Sequence, residues 1–248
     1  MTHPVQKNNK MNSEKRRTDP VLLTAIQNHD FKTIIHWGQQ FLETHWDPML
    51  RELKPQLQSH IPSKKKVPEG PLIAGAYLHS EPLENDGYIA DFFETSSPNK
   101  KIVIFMAMEA LKRDMNHGRS PEQIAEFYQF DMLHEMGHAV MNASENLSRL
   151  KIVQDIAMHT SFSLTEKQKD DLESCVHFLD EIQANRYATQ RLPEITGQEL
   201  REPTTKERNR YTGENTRFFY DNYNQLPSFL QKALKAELLQ RGFTIPPR

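Results

Sequence analysis

A single cysteine, Cys175, stands among 248 residues, so no internal disulfide framework can hold this chain together, and a reducing compartment fits it. Long hydrophobic runs are missing as well. No stretch of 18 consecutive apolar residues occurs, which argues against a membrane-spanning helix. Nor is there a surplus of one charge: 31 Lys and Arg face 33 Asp and Glu, a net charge of −2. Nothing in that balance calls for nucleic acid. Apolar residues make up only 37% and mean hydropathy is −0.73, polar for a globular enzyme, which points to loose ends or long solvated helical faces. The opening MTHPVQKNNKMNSEKRRTDP lacks the apolar segment of a secretory leader. The expected location is cytoplasmic, with delivery into another cell by a signal-less route as the variant.

What the chain does have is FYQFDMLHEMGHAVMNAS, residues 127–144, with His134 and His138 four apart and Glu135 directly after the first. On a helix, residues i and i+4 lie about 5–6 Å apart on one face. Two imidazoles there can grip one ion. Glu135, one step round, is badly placed as a ligand but can reach a water on the metal and take its proton. The segment reads as a helix over about 121–142. Ser120, Pro121 and Gln123 form a capping-box start, and Ile124, Phe127, Tyr128, Met132, Met136, Ala139 and Val140 recur at helical spacing. The bland alternative is two surface histidines flanking a solvated glutamate.

A catalytic zinc takes three protein ligands and keeps one position open. Residues 163–193, SLTEKQKDDLESCVHFLDEIQANRYATQRLP, supply a second helix. Ser163 and Glu166 read as its capping box and Leu192-Pro193 as its stop. Inside its apolar stripe sits Glu181, with Asn185 four residues on. A carboxylate aimed into a core is costly unless paired or bound to metal, so Glu181 is the candidate third ligand. Asn185 is placed to hydrogen-bond a ligating histidine. His177, four before Glu181 on the same face, is a rival ligand, and Asp180 a weaker one.

HEMGH followed by DEIQANRYA resembles the gluzincin pattern H-E-x-x-H … E-x-x-A-N/D, and in particular the ImmA/IrrE-type metallopeptidases, with their HExGH and E-x-x-A-N-x-[FY]-A helices. The resemblance covers residues 72–193. It implies His134 and His138 as zinc ligands, Glu135 as catalytic base, Glu181 as third ligand, and a sheet directly before the H-E-x-x-H helix. Two departures stand out: the extra stretch SENLSRLKIVQDIAMH between His138 and Glu181, and no attached helix-turn-helix.

Around this core the chain divides into a basic arm (1–19), a helical extension (20–60), a lysine-rich linker (61–71), the catalytic core (72–193) and a C-terminal extension (194–248). LIAGAYL (72–78), GYIADFF (87–93) and KIVIFMA (101–107) read as three strands between turn signals, and 108–115 as a short helix. SFLQKALKAELLQRG reads as an amphipathic helix with Ser228 as cap and Gly242 as stop. The expected fold class is therefore α+β: a mainly helical zincin-like domain with a small three-stranded sheet. An extended peptide added to KIVIFMA as an edge strand would lie across the metal.

The expected activity is zinc-dependent hydrolysis of a peptide bond in a protein or peptide substrate, with Glu135 as general base and Zn2+ as cofactor. The extensions read as substrate-recognition additions of a regulatory peptidase or an effector. Tyr187, His177, Tyr211, Tyr220 and Tyr223 are the candidate donors to the transition state. The alternative is a non-catalytic binding or regulatory protein on the same scaffold. No nucleic acid and no membrane span are expected.

Overall fold

The computed structural model describes residues 18–50, 56–60, 75–78, 103–107, 115, 118–143, 149–160 and 163–247. Its longest element, α5 (Glu166–Thr196), begins where Thr165 Oγ1 accepts the Gln168 N–H and Gln168 Oε1 accepts the Thr165 N–H. Two overlapping S/T-x-x-E/Q patterns compete at this start. The later one caps the helix, not Ser163 and Glu166, and Leu164 is left to bury against the domain. Pro193 does not stop α5 either. The helix runs on to Thr196 and ends at Gly197, which has φ +69°. Pro193 has no N–H to donate, and the turn after it is closed by other bonds: Gly197 N bonds Pro193 O at 2.8 Å and Thr196 Oγ1 bonds Leu192 O at 2.9 Å.

The other helices are α1 (Pro20–Gln27), α2 (Phe31–His45), α3 (Pro121–Ala143), α4 (Arg149–His159), α6 (Glu202–Tyr223) and α7 (Ser228–Gln240). Asp19 and Asp30 cap α1 and α2. Ser120 and Gln123 close a capping box at the start of α3, with Ser120 N bonding Gln123 Oε1 at 2.9 Å. At α7 Ser228 is the first helical residue, not the cap. Pro227 occupies the cap position without a side-chain bond. The polar stretch after Pro193 is thus almost wholly helical, with α6 laid along α5.

The described residues are mainly helical, which corrects the α+β expectation. The strands are only ribbons: β1 (Gln56–His60), β2 (Gly75–Leu78) and β3 (Val103–Ala107), in the order β1-β3-β2. β1 runs parallel to β3 with Leu57 opposite Ile104, and β2 antiparallel with Tyr77 opposite Ile104. β1 comes from the end of the segment expected to be helical. Residues 87–93, expected as a strand, and 108–114, expected as a helix, lie outside the described residues. β3, expected at an edge, is central and hydrogen-bonded on both sides. A peptide therefore has no open edge to add to there.

Among the described residues both hydrophobic cores are built by helices and their connections. One joins α1, α2, α3 and the C-terminal part of α5, with Leu22, Ile34, Phe41, Met132, Leu133 and Leu192 buried. The other joins α4, the N-terminal part of α5, α6 and α7 through Ile152, Leu172, Val176, Phe219 and Leu234. α5 belongs to both. At about 1.5 Å per residue, a 31-residue helix is long enough to serve as that spine. No described helix is long and apolar enough to cross a membrane.

Candidate metal centre

α3 and α5 cross where Gly137 meets Ala184. A Cβ on Gly137 would lie 2.9 Å from Ala184 Cα and 3.2 Å from Tyr187 Cβ, closer than side chains pack. Glycine in a helix interior costs about 1 kcal/mol against alanine, and here it permits the close approach. One turn before Ala184 on α5, that approach brings Asp180 and Glu181 up to His134 and His138 of α3.

His134 and His138 project from α3 toward Glu181 of α5. His134 Nε2 is 3.1 Å from His138 Nε2 and 3.3 Å from Glu181 Oε2. His138 Nε2 is 3.6 Å from Glu181 Oε1. The two rings meet edge to face, with centroids 4.8 Å apart. These three side chains form a group that could hold a metal ion. Both histidines are buried, and so is Glu135.

The partners around the group set its protonation. His138 Nδ1 lies 2.9 Å from Asp180 Oδ2, which assigns a ring proton to Nδ1 and leaves Nε2, on the side of Glu181, as the nitrogen a metal could take. Burial pulls the His138 pKa down, but the Asp180 hydrogen bond and charge, with Glu135 and Glu181 behind, outweigh it and raise it to about 9. Glu181 is shifted in the opposite sense. Burial would raise its carboxyl, but the hydrogen bond to His134 and the two histidine charges hold it well below the carboxylate range. Burial raises Glu135, against the opposing pull of His138 and His134. A carboxylate with a raised pKa is a better proton acceptor.

Helix α6 covers the group from outside. Tyr211 donates its hydroxyl to Glu181 Oε2, and its ring stands edge-on to His134 at 6.0 Å. Burial and the Glu181 charge raise the Tyr211 phenol well above its ordinary value, so it remains a donor. One turn earlier Arg208 bonds Asp131 of α3 at 2.6 Å and lies 4.3 Å from the Phe130 ring centroid. One residue later, Thr212 meets Asn185.

Several expected roles change in this geometry. Asn185 does not serve a histidine. One turn beyond Glu181 it faces α6, where Nδ2 bonds Thr212 Oγ1 at 2.5 Å and Arg208 O at 3.3 Å. The support expected of it comes from Asp180. Tyr187 turns away from the group: its hydroxyl donates to Asp47 Oδ2 at 2.7 Å. Tyr220 and Tyr223 bond the Pro246 and Gln231 carbonyls. Of the five candidate donors only Tyr211 and His177 stand at the group. His177 is at its rim, half-exposed, with Nδ1 4.0 Å from Glu181 Oε1. At Gly137 the sequence carries its own signal of the close approach of α3 to α5, a glycine inside a strongly periodic helix.

No family model matches the chain, and neither the curated proteins nor the solved structures contain a significant match.

Proposed function

We propose that the chain is a zinc-dependent endopeptidase of gluzincin type, acting on a protein or peptide substrate. One observation carries the reading: two imidazole nitrogens and a carboxylate from two helices converge in a buried site, with a fourth group, Glu135, beside them and free of the ligand set. Ligands about 2.0–2.1 Å from a tetrahedral zinc stand about 3.3 Å from one another. The separations of 3.1, 3.3 and 3.6 Å bracket that edge length. His138, already held through Nδ1 by Asp180, would offer Nε2, and His134 and Glu181 would complete the set.

When bound, zinc supplies Lewis acidity toward water and toward a peptide carbonyl. Glu135 accepts the proton of the attacking water and delivers it to the leaving amine. Asp180 keeps the His138 ring in one tautomer. Tyr211 fixes the Glu181 carboxylate. An extended substrate would add to β2, the outermost of the described strands on that side, which packs against α3.

The test is metal analysis of the purified protein joined to peptide-library cleavage with and without chelator. Zinc near stoichiometry and chelator-sensitive cleavage are expected. Glu135→Gln should keep the zinc and lose about 10²–10⁴-fold in turnover. Bound zinc with no cleavage of any library would leave a binding protein on this scaffold and sink the peptidase. A protein that binds no divalent metal would sink the reading altogether.

A further inference from the structure

Away from the metal group, the N-terminal half of α3 and the C-terminal end of α5 enclose a cavity of about 390 Å³, within the range of small-molecule sites. One wall is aromatic: Trp37 and Phe41 of α2 stack with centroids 5.0 Å apart. Leu192 continues the apolar lining. Into this space α3 places the Gln129 side chain, only 6% exposed. Among the described residues no hydrogen bond to its amide is present, and the little exposure it keeps opens into the cavity. A polar group fixed in a mainly apolar wall gives a ligand a point to hydrogen-bond.

The charge of the lining has one sign. Among the described residues Asp19, Glu126 and Glu199 contribute carboxylates to the lining, and no lysine or arginine lines the cavity. Asp19 uses Oδ1 to cap α1. Glu126 accepts the Arg201 N–H at 3.1 Å and lies 3.6 Å from its guanidinium. That guanidinium also bonds the Glu122 carbonyl at 2.6 Å and Thr18 Oγ1 at 3.3 Å. Glu199 is exposed and has no ion pair among the described residues. His45, also in the wall, is held toward its neutral form by burial and by Arg191.

We propose that this cavity binds a small organic cation, a protonated amine or guanidine on an apolar body. Aromatic faces attract such a cation, the carboxylates complement it, and the Gln129 oxygen accepts one of its N–H groups. The apolar body packs on Trp37 and Leu192. The inference stands apart from the metal reading, because none of these residues belongs to the metal group.

Isothermal titration of the full chain with 2-phenylethylammonium, 2-phenylethanol and phenylacetate tests it. The three probes share a body and differ in charge. The ammonium should bind saturably and at least about tenfold more tightly than the alcohol, and phenylacetate should not bind. Glu199→Gln, at the exposed rim, should weaken the ammonium several-fold and leave the alcohol unchanged. Gln129→Leu removes the amide from a mainly apolar wall, so the thermal midpoint should hold while ammonium binding weakens. Equal affinity for ammonium and alcohol overturns the proposal. So does the absence of saturable ammonium binding up to about 10 mM, or unchanged ammonium affinity in both folded variants.

Discussion

Asp180 and Tyr211 show how much of the candidate metal group lies outside the three residues that could ligate an ion. Asp180 orients His138, and Tyr211 holds Glu181. Removing such supports typically lowers metal affinity about 10–100-fold, and Asp180→Asn and Tyr211→Phe should each do so. Competition with a metal-binding dye reads this directly, without reference to turnover. Unchanged affinity in both would mean these contacts are incidental. Glu181→Gln should lose more than either, whereas His177→Ala at the rim should keep its metal. A pH effect belongs to the same scale. His138 of the metal-free protein has its pKa raised from 6.5 to about 9, because Asp180 and the two glutamates outweigh burial. The folded state thus holds this proton more tightly than the unfolded state. That stabilisation is complete below pH 6.5 and is lost as pH rises through about 9. A metal needs the neutral ring. Its apparent affinity should therefore climb across the same window, and a flat profile would contradict the assignment.

Between elements, the decisive contact is the crossing of α3 and α5. Gly137→Ala improves helix propensity by about 1 kcal/mol but pushes a methyl to 2.9 Å from the Ala184 backbone. Backbone cannot turn aside as a side chain tip can, so overpacking of about 1–3 kcal/mol should win. The variant should melt earlier in a urea titration and bind metal less tightly, because the helices that carry His134 and Glu181 are forced apart. A variant as stable as the parent, with unaltered metal affinity, would mean the helices slide without consequence. Glycine at this position also explains why DEIQANRYA can sit so near HEMGH although 42 residues separate His138 from Asp180.

For the whole molecule, the segment after Pro193 is part of the fold. α6 carries Tyr211 to the metal group and, two turns later, Phe219 into the second core, where it is fully buried among Leu172, Val176 and Leu234. Phe219→Ala should cost about 3–5 kcal/mol, seen as a lowered urea midpoint in the metal-free protein. A midpoint unchanged from the parent would show the second core to be dispensable. α1 and α2 have the same standing in the first core, where Ile34 and Trp37 pack with Tyr128. Tyr128 also donates to the Ile34 carbonyl at 3.3 Å.

That His134, His138 and Glu181 could come together was legible in the sequence because the signal is local: i, i+4 spacing on one helix and a carboxylate inside an apolar stripe on another. The helices themselves were legible for the same reason, down to the Ser120–Gln123 capping box. Where two local signals overlapped, at Ser163 and Thr165, sequence could not choose between them. It also misjudged the sheet. Short β-branched runs mark strands, but they carry no information on which segment pairs with which, so β1 and the central position of β3 emerge only from long-range pairing. The supports of the metal group were decided in the same way. Asp180, Asn185, Tyr187 and Tyr211 all carry suitable polar groups. Which of them faces the histidines depends on how α5 is rotated against α3 and where α6 lies, and packing of the two cores fixes both.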